Sequence, residues 1–114
     1  MKKFLIQIEP HRSPDLDSGI LLSQFEGLSN GRGWIRKRSV KHGFDKQPYI
    51  HLVFETDYPK LFWKMLRETI DQADAYGPSM RAASFVICEG KAGWDDYLML
   101  HHYDPDISRE HLPE

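Results

Sequence analysis

The feature that most constrains this chain is a long amphipathic stretch that follows Thr56 and ends at Gly77 and Pro78. Asp57 is a residue type that caps helix N-termini, and Pro59 is tolerated in a first helical turn. Six residues recur at helical spacing and form one stripe: Leu61, Met65, Leu66, Thr69, Ile70 and Ala73. Because only this stripe is apolar, the sequence predicts a helix that covers one face of another layer.

Strands are predicted before that helix. Residues 3–9 alternate apolar and polar side chains and stop at Pro10, which cannot donate to a strand ladder. Residues 49–56 alternate more regularly: Ile50, Leu52 and Phe54 on one face, and Tyr49, His51, Val53 and Glu55 on the other. Residues 34–41 are predicted to pair with them as an antiparallel hairpin, joined by an extended loop at 42–48.

Two further strands are predicted after the helix. Residues 80–89 carry apolar side chains on both faces, with Val86 and Cys88 on one and Phe85 and Ile87 on the other. Such a strand is covered on both sides, or has a partner pressed against one side. Residues 96–103 are expected to pair back after a turn at 90–93, and residues 104–114 to form an irregular acidic tail.

A first helix is expected to begin at Ser13 and Pro14, with apolar positions at Leu16, Ile20, Phe25 and Leu28. The resulting order, βαββαββ, predicts a single α+β domain over residues 1–114. Its sheet is mainly antiparallel with about five strands, and two helices lie on one face, which is ferredoxin-like with an added strand.

Composition excludes several classes of protein. The 114 residues suffice for one domain, and 40% hydrophobic residues can fill its core. The formal net charge of −2 argues against a domain that holds nucleic acid by its overall charge. One cysteine, Cys88, cannot form an internal disulfide and fits a reducing compartment. No secretory signal or membrane span is recognisable, so a cytoplasmic protein without membrane contacts is expected.

The sequence contains no catalytic or cofactor motif. Gly31-Arg32-Gly33 lacks the third glycine of a dinucleotide fingerprint, and no phosphate-binding loop is present, so no cofactor is expected. Cys88 lies in the most apolar strand and is interpreted as a buried hydrophobic residue. No histidine spacing matches a metal-ligand pattern, and no metal is expected. Whether His51, His102 and Asp104 form an acid/base site stays open.

The most distinctive pattern in the sequence is the segregation of charged residues into two zones. Residues 32–46 contain six basic side chains and one acid, whereas residues 89–114 contain seven acids and two basic side chains. Aromatic residues lie within both zones. The two zones either neutralise each other, within a monomer or across a homodimer, or form binding surfaces.

Two binding hypotheses and one enzymatic hypothesis follow. The first is a non-catalytic inhibitor of a basic protein partner, such as a toxin or nuclease, built as bacterial immunity proteins (antitoxins) are, with these contact residues: Glu89, Trp94, Asp95, Asp96, Tyr97 and Asp104. The second is a binder of single-stranded nucleic acid through the basic hairpin, with these contact residues: Trp34, Arg36, Arg38, Lys41 and Phe44. The third is a small dimeric ferredoxin-like enzyme that uses His51, His102 and Asp104.

Overall fold

The chain forms a five-stranded antiparallel sheet with three helices in a computed structural model that describes residues 1–72 and 76–112. The elements in chain order are β1 (Lys2–Ile8), α1 (Ser18–Glu26), β2 (Ile35–Asp45), β3 (Gln47–Thr56), α2 (Pro59–Asp71), α3 (Gly77–Ala82), β4 (Ser84–Gly90) and β5 (Gly93–His101). Short 3-10 turns occupy Pro10–Arg12 and Gly27–Ser29. The strand order is β2-β3-β1-β4-β5, so that β2 and β5 are the two edges.

The hydrophobic core lies between one face of the sheet and the helices. Strand alternation places Phe4, Ile6 and Ile8 of β1 on the core side, and the predicted faces of β3 are confirmed, since Ile50, Leu52 and Phe54 are buried. The ring of Phe62 on α2 meets the ring of Phe4 edge-on, with centroids 4.7 Å apart. Helix α2 is therefore held on the sheet by aromatic packing at its centre.

The apolar stripe of α2 differs from the predicted one. The buried positions are Phe62, Leu66 and Ile70, whereas Leu61 is exposed. Spacing of four residues fits one helical face, and the aromatic Phe62 occupies the place that the sequence pattern assigned to Leu61. Ala73, the last residue of the predicted stripe, lies outside the described residues.

Prolines and glycines misled the prediction of the other helices. Helix α1 begins at Ser18 rather than at Ser13 and Pro14, because Asp17 is the N-cap and accepts hydrogen bonds from the backbone N–H groups of Gly19 and Ile20. Helix α2 ends at Asp71 rather than at Gly77 and Pro78, and these two residues begin α3, since proline suits a first helical turn. The prediction of two helices was therefore wrong, and β4 begins at Ser84 rather than residue 80.

The hairpin between β2 and β3 is tighter than predicted. Its strands extend to Asp45 and from Gln47, so the expected loop at 42–48 is strand on both sides of the turn residue Lys46. Lys46 has a φ of 64°. Tight β-hairpin turns require a residue in this left-handed conformation. At the other end of the chain, β5 runs from Gly93 to His101 instead of 96–103.

In the described part of the chain, the second face of the sheet is less buried than the core face. Leu5, Val53, Phe85, Ile87 and Met99 lie on this side and are only partly buried. The two apolar faces predicted for β4 are thus present, with one face packed in the core and the other open. No helix in the described part of the chain has the length and apolar character that crossing a membrane requires.

Candidate functional site

The segment 94–97 of β5 forms a bulge at the edge of the sheet. The ladder between β4 and β5 pairs Cys88 with Leu98 and Gly90 with Gly93. The four residues 94–97 therefore stand opposite a single residue, Glu89. Such an excess bends the strand and turns its side chains away from the regular pleat. We call residues 94–97 the bulge segment.

The bulge segment presents two aromatic and two acidic side chains outward. Trp94 and Tyr97 are 38% and 48% exposed, and Asp95 and Asp96 between them are also exposed. Neither carboxylate has an ion pair or hydrogen bond with any residue in the ranges 1–72 and 76–112. Four of the six predicted partner-binding residues thus lie together on one edge.

Of the other two predicted contact residues, Glu89 lies on β4 opposite the bulge segment, and Asp104 lies beyond β5. Glu89 faces the open side of the sheet, where its Oε1 accepts a hydrogen bond of 2.7 Å from the backbone N–H of Lys3. Asp104 follows the far end of β5, and its Oδ1 accepts from the backbone N–H of Asp106 at 2.9 Å. The bulge segment lies at the N-terminal end of β5, whereas Asp104 follows the C-terminal end of that strand at His101. Asp104 is therefore not part of the surface formed by the bulge segment.

The described part of the tail bonds to the edge of β5 at Met99. The backbone N–H of Glu110 donates to the carbonyl of Met99 at 2.7 Å, and Oε1 of Glu110 accepts from the N–H of Met99 at 3.3 Å. The free N–H and C=O groups of an edge strand can pair with a strand of another chain. A tail that bonds to these groups prevents such pairing. Within the described residues, which end at Leu112, the tail makes these bonds at Met99 and makes no hydrogen bond with the bulge segment.

The basic residues predicted as a nucleic-acid surface lie on β2, the opposite edge. Arg36 and Lys41 are exposed and have no ion pair within the described ranges. Arg38 lies 4.0 Å from Glu55, and the neighbouring Lys37 pairs with Glu26. The positive charge of this edge is therefore partly neutralised by the chain itself.

The two aromatic residues of that basic zone differ in exposure. Phe44 is 74% exposed near the tip of the hairpin. Trp34 is partly buried, its ring meets that of Tyr58 edge-on at 5.9 Å, and its carbonyl accepts from the Thr56 hydroxyl at 2.9 Å. Only Phe44 of this pair has a free face on which a base could stack.

The three residues of the enzymatic hypothesis do not contact one another as a set. Nε2 of His51 lies 2.7 Å from Oε1 of Gln7 on the open face. The His102 ring stacks on Phe85 at 5.6 Å, and its Nδ1 accepts from the backbone N–H of Asp104 at 2.9 Å. Burial and the nearby Lys41 lower the pKa of His51, which favours its neutral form.

Cys88 is buried in the core, as its strand predicted. Burial raises the pKa of its thiol to about 12. A thiol in that environment is not ionised at neutral pH, and so it is not a nucleophile in the folded chain.

Sequence reasoning missed a polar cluster on the open face. Gln7, Glu9 and Arg12 lie near His51 and Tyr103 around a cavity of about 490 Å³. The available signal was the pair Gln7 and Glu9, polar residues at alternate positions at the end of β1, whose other face carries Phe4, Ile6 and Ile8. In the ranges 1–72 and 76–112, no three His, Cys, Asp or Glu side chains are grouped so as to hold a metal ion.

Comparisons of the chain with protein-family models, with curated proteins and with solved structures find no match. The surfaces described above are therefore the basis for assigning a function.

Proposed function

We propose that the chain is a protein-binding module that docks a basic partner on the bulge segment. The observation that carries this proposal is that Asp95 and Asp96 are exposed on an edge strand, between the exposed Trp94 and Tyr97 in sequence, and have no partner within the described chain. Unpaired carboxylates attract lysine and arginine side chains of a partner and speed the encounter. Aromatic rings beside them supply the large contact areas on which interface affinity depends.

The narrower form of this proposal is an inhibitor of a nuclease, of the immunity-protein type. A nuclease cleft carries lysines and arginines that hold phosphates. Carboxylates at 95 and 96 would form charge-assisted hydrogen bonds with those groups. Blocking such a cleft requires no catalytic group on the inhibitor, and we propose the module to be non-catalytic.

We further propose that the domain is of the ferredoxin-like type with an added strand. The first four strands and the helices between them have the order βαββααβ, which is the ferredoxin-like order with one extra short helix, and the sheet order β2-β3-β1-β4 places β1 between β3 and β4. Strand β5 is then the addition to this arrangement. In this assignment, the proposed docking surface belongs to the added strand.

The test is capture of a partner with a charge-reversed variant and a matched control. The variant is Asp95→Lys with Asp96→Lys. The control is Asp15→Lys with Glu68→Lys, which changes the net charge equally at two exposed acids outside the bulge segment. The wild type and the control are expected to retain a basic partner from the source cells, which the variant loses although its thermal unfolding is unchanged. The partner, once purified, should reproduce this order of affinities.

Equal retention by all three proteins would contradict the proposal. Retention of an acidic partner would contradict the assignment of partner chemistry.

A second candidate is binding of single-stranded nucleic acid along β2, favoured by Phe44, which is 74% exposed, and by Lys41 on the same strand, which has no ion pair within the described chain. Mixing with labelled single-stranded RNA at low salt tests it, because release of counterions makes such binding fall steeply with salt. Binding that Phe44→Ala weakens would support this candidate. Absence of a mobility shift at low salt would refute it.

A further inference from the structure

A cavity of about 490 Å³ lies at one end of the open sheet face, separate from the bulge segment. Its walls come from the end of β1 and the turn after it, from the β2–β3 hairpin, and from Tyr103. This volume is in the range of sites that hold small molecules. Aromatic side chains on the wall, Tyr49 and Tyr103, provide apolar surface next to polar groups.

One side of the cavity is held rigid by Arg12. Its Nε donates to Oε1 of Glu9 at 2.8 Å, and its Nη2 donates to the hydroxyl of Tyr103 at 3.0 Å. The guanidinium also lies 3.7 Å from the centre of the Tyr103 ring. Burial raises the pKa of Glu9, but hydrogen bonds from Arg12 and Gln7 outweigh it, so that the pKa is lowered. Glu9 is therefore ionised at neutral pH.

The ionised Glu9 determines the orientation of Gln7. A carboxylate only accepts hydrogen bonds, so the atom of Gln7 that lies 3.0 Å from Oε2 of Glu9 is the amide nitrogen, which donates. The amide oxygen of Gln7 then faces His51 and accepts from its Nε2 at 2.7 Å. His51 consequently carries its proton on Nε2.

The other ring nitrogen of His51 is left as a free acceptor. In the neutral imidazole, a protonated Nε2 leaves a lone pair on Nδ1. Nδ1 has no hydrogen bond within the described chain. Every N or O atom of a partly or fully buried side chain that is shielded from solvent in this part of the chain does have a hydrogen-bond partner. Nδ1 is therefore open to solvent, on a residue that lines the cavity.

Two opposite charges on the cavity wall also lack partners. Asp45 and Lys46 are exposed at the hairpin tip, and neither has an ion pair with the residues in 1–72 and 76–112. Nη1 of Arg12 likewise has no hydrogen bond within that part of the chain. The cavity thus offers two cationic donors together with two acceptors, Asp45 and Nδ1 of His51.

We propose that this cavity binds a small zwitterion of the α-amino-acid class that has an apolar side chain. Lys46 and Arg12 bind the carboxylate, Asp45 and His51 accept from the ammonium group, and the side chain packs on Tyr49 and Tyr103. A ligand that carries both charges contacts all four groups, whereas a carboxylate or an amine alone contacts only two of them and should bind more weakly.

The experiment titrates the protein with three related probes: L-phenylalanine, phenylacetate, which lacks the ammonium, and phenethylamine, which lacks the carboxylate. The readout is the long-range ¹H–¹⁵N spectrum of the histidine rings. Before any addition, it should show the His51 proton on Nε2. L-phenylalanine should then shift the His51 signals to saturation and bind at least about tenfold more tightly than either half-probe.

Variants separate this site from general surface binding. Lys46→Gly removes the ammonium at a φ of 64° that glycine adopts freely, so the fold is retained. It should weaken L-phenylalanine about tenfold. The matched control is Lys91→Gly, which removes a lysine from the other hairpin turn, and it should bind as the wild type does. Asp95→Lys with Asp96→Lys should also bind normally, which keeps the outcome independent of the proposed docking surface.

Four results would overturn the proposal. They are a His51 proton on Nδ1, half-probes that bind as tightly as L-phenylalanine, equal weakening by Lys46→Gly and Lys91→Gly, and a titration without saturation.

Discussion

Gly90 permits the close approach on which the bulge segment depends, and Gly90→Ala tests this directly. A Cβ at position 90 would lie 2.8 Å from the carbonyl carbon of Asp96, 2.9 Å from its Oδ2, and closer still to its carbonyl oxygen. Non-bonded carbon atoms prefer separations of about 3.5–4.0 Å, so the backbone at Asp96 must move by roughly 1 Å or more. Overpacking of this kind costs about 1–3 kcal/mol.

The assay is thermal and urea unfolding followed by circular dichroism, together with an amide NMR spectrum. At about 2.1 cal/mol/K per residue, 1 kcal/mol corresponds to ~4 °C in a chain of this size, so the midpoint should fall by about 4–12 °C. The amide signals of residues 94–97 should shift most, because those residues meet the added methyl group.

The matched control is Gly27→Ala. A Cβ at Gly27 meets nothing within 4 Å, and its φ of −59° suits any residue, so this variant should be unchanged or stabilised by about 0.4–1 kcal/mol. Equal unfolding midpoints for Gly90→Ala and the wild type, with unshifted signals at 94–97, would refute the bulge geometry.

Lys46→Gly should raise the free energy of unfolding by about 0.5–1 kcal/mol in urea titrations, because glycine adopts the φ of 64° without the strain of a side chain, whereas Lys46→Ala should not raise it. Cys88 should react with a thiol reagent at pH 8 at least ~100-fold more slowly in the folded protein than in urea, because its pKa is raised to about 12 by burial; fast labelling of the folded chain would contradict its position. Burial lowers the pKa of His101 and His51 below the usual 6.5, so the unfolded chain binds more protons than the folded chain at acidic pH. The free energy of unfolding should therefore fall as the pH drops below 6.5, by at most about 1.4 kcal/mol per pH unit for each histidine. His101→Gln should reduce this slope, and an unchanged slope would show that His101 is not its source.

The sequence allowed prediction of those features that depend on local periodicity. The alternation at 49–56 identified the core face of β3 because side chains of a strand alternate strictly, whatever the strand packs against. Helix α2 was recognisable for the same reason, although Phe62 and Leu61 are adjacent and the pattern did not distinguish which of them is buried. Gly77 and Pro78 were ambiguous, since the same pair can end one helix and begin the next.

Features that depend on contacts distant in sequence were not predictable. The bulge segment arises because Gly90 lets the backbone of Asp96 come close, and the sequence contains no register information for that pairing. The cluster of Gln7, Arg12 and Tyr103 joins residues 91 positions apart at its widest hydrogen bond. Spacing along the chain cannot reveal such a cluster. The charge segregation that led to the hypothesis about Asp95 and Asp96 was visible in the order of charged residues along the chain.

The central claim is that the carboxylates of Asp95 and Asp96 bind cationic groups of a partner. The most direct measurement is the dissociation constant of the captured partner, by titration calorimetry, for the wild type and for Asp95→Asn with Asp96→Asn, which preserves side-chain shape. Loss of charge-assisted hydrogen bonds worth about 1.5–3 kcal/mol each should weaken binding by roughly 100-fold or more. A dissociation constant within twofold of the wild type would contradict the claim.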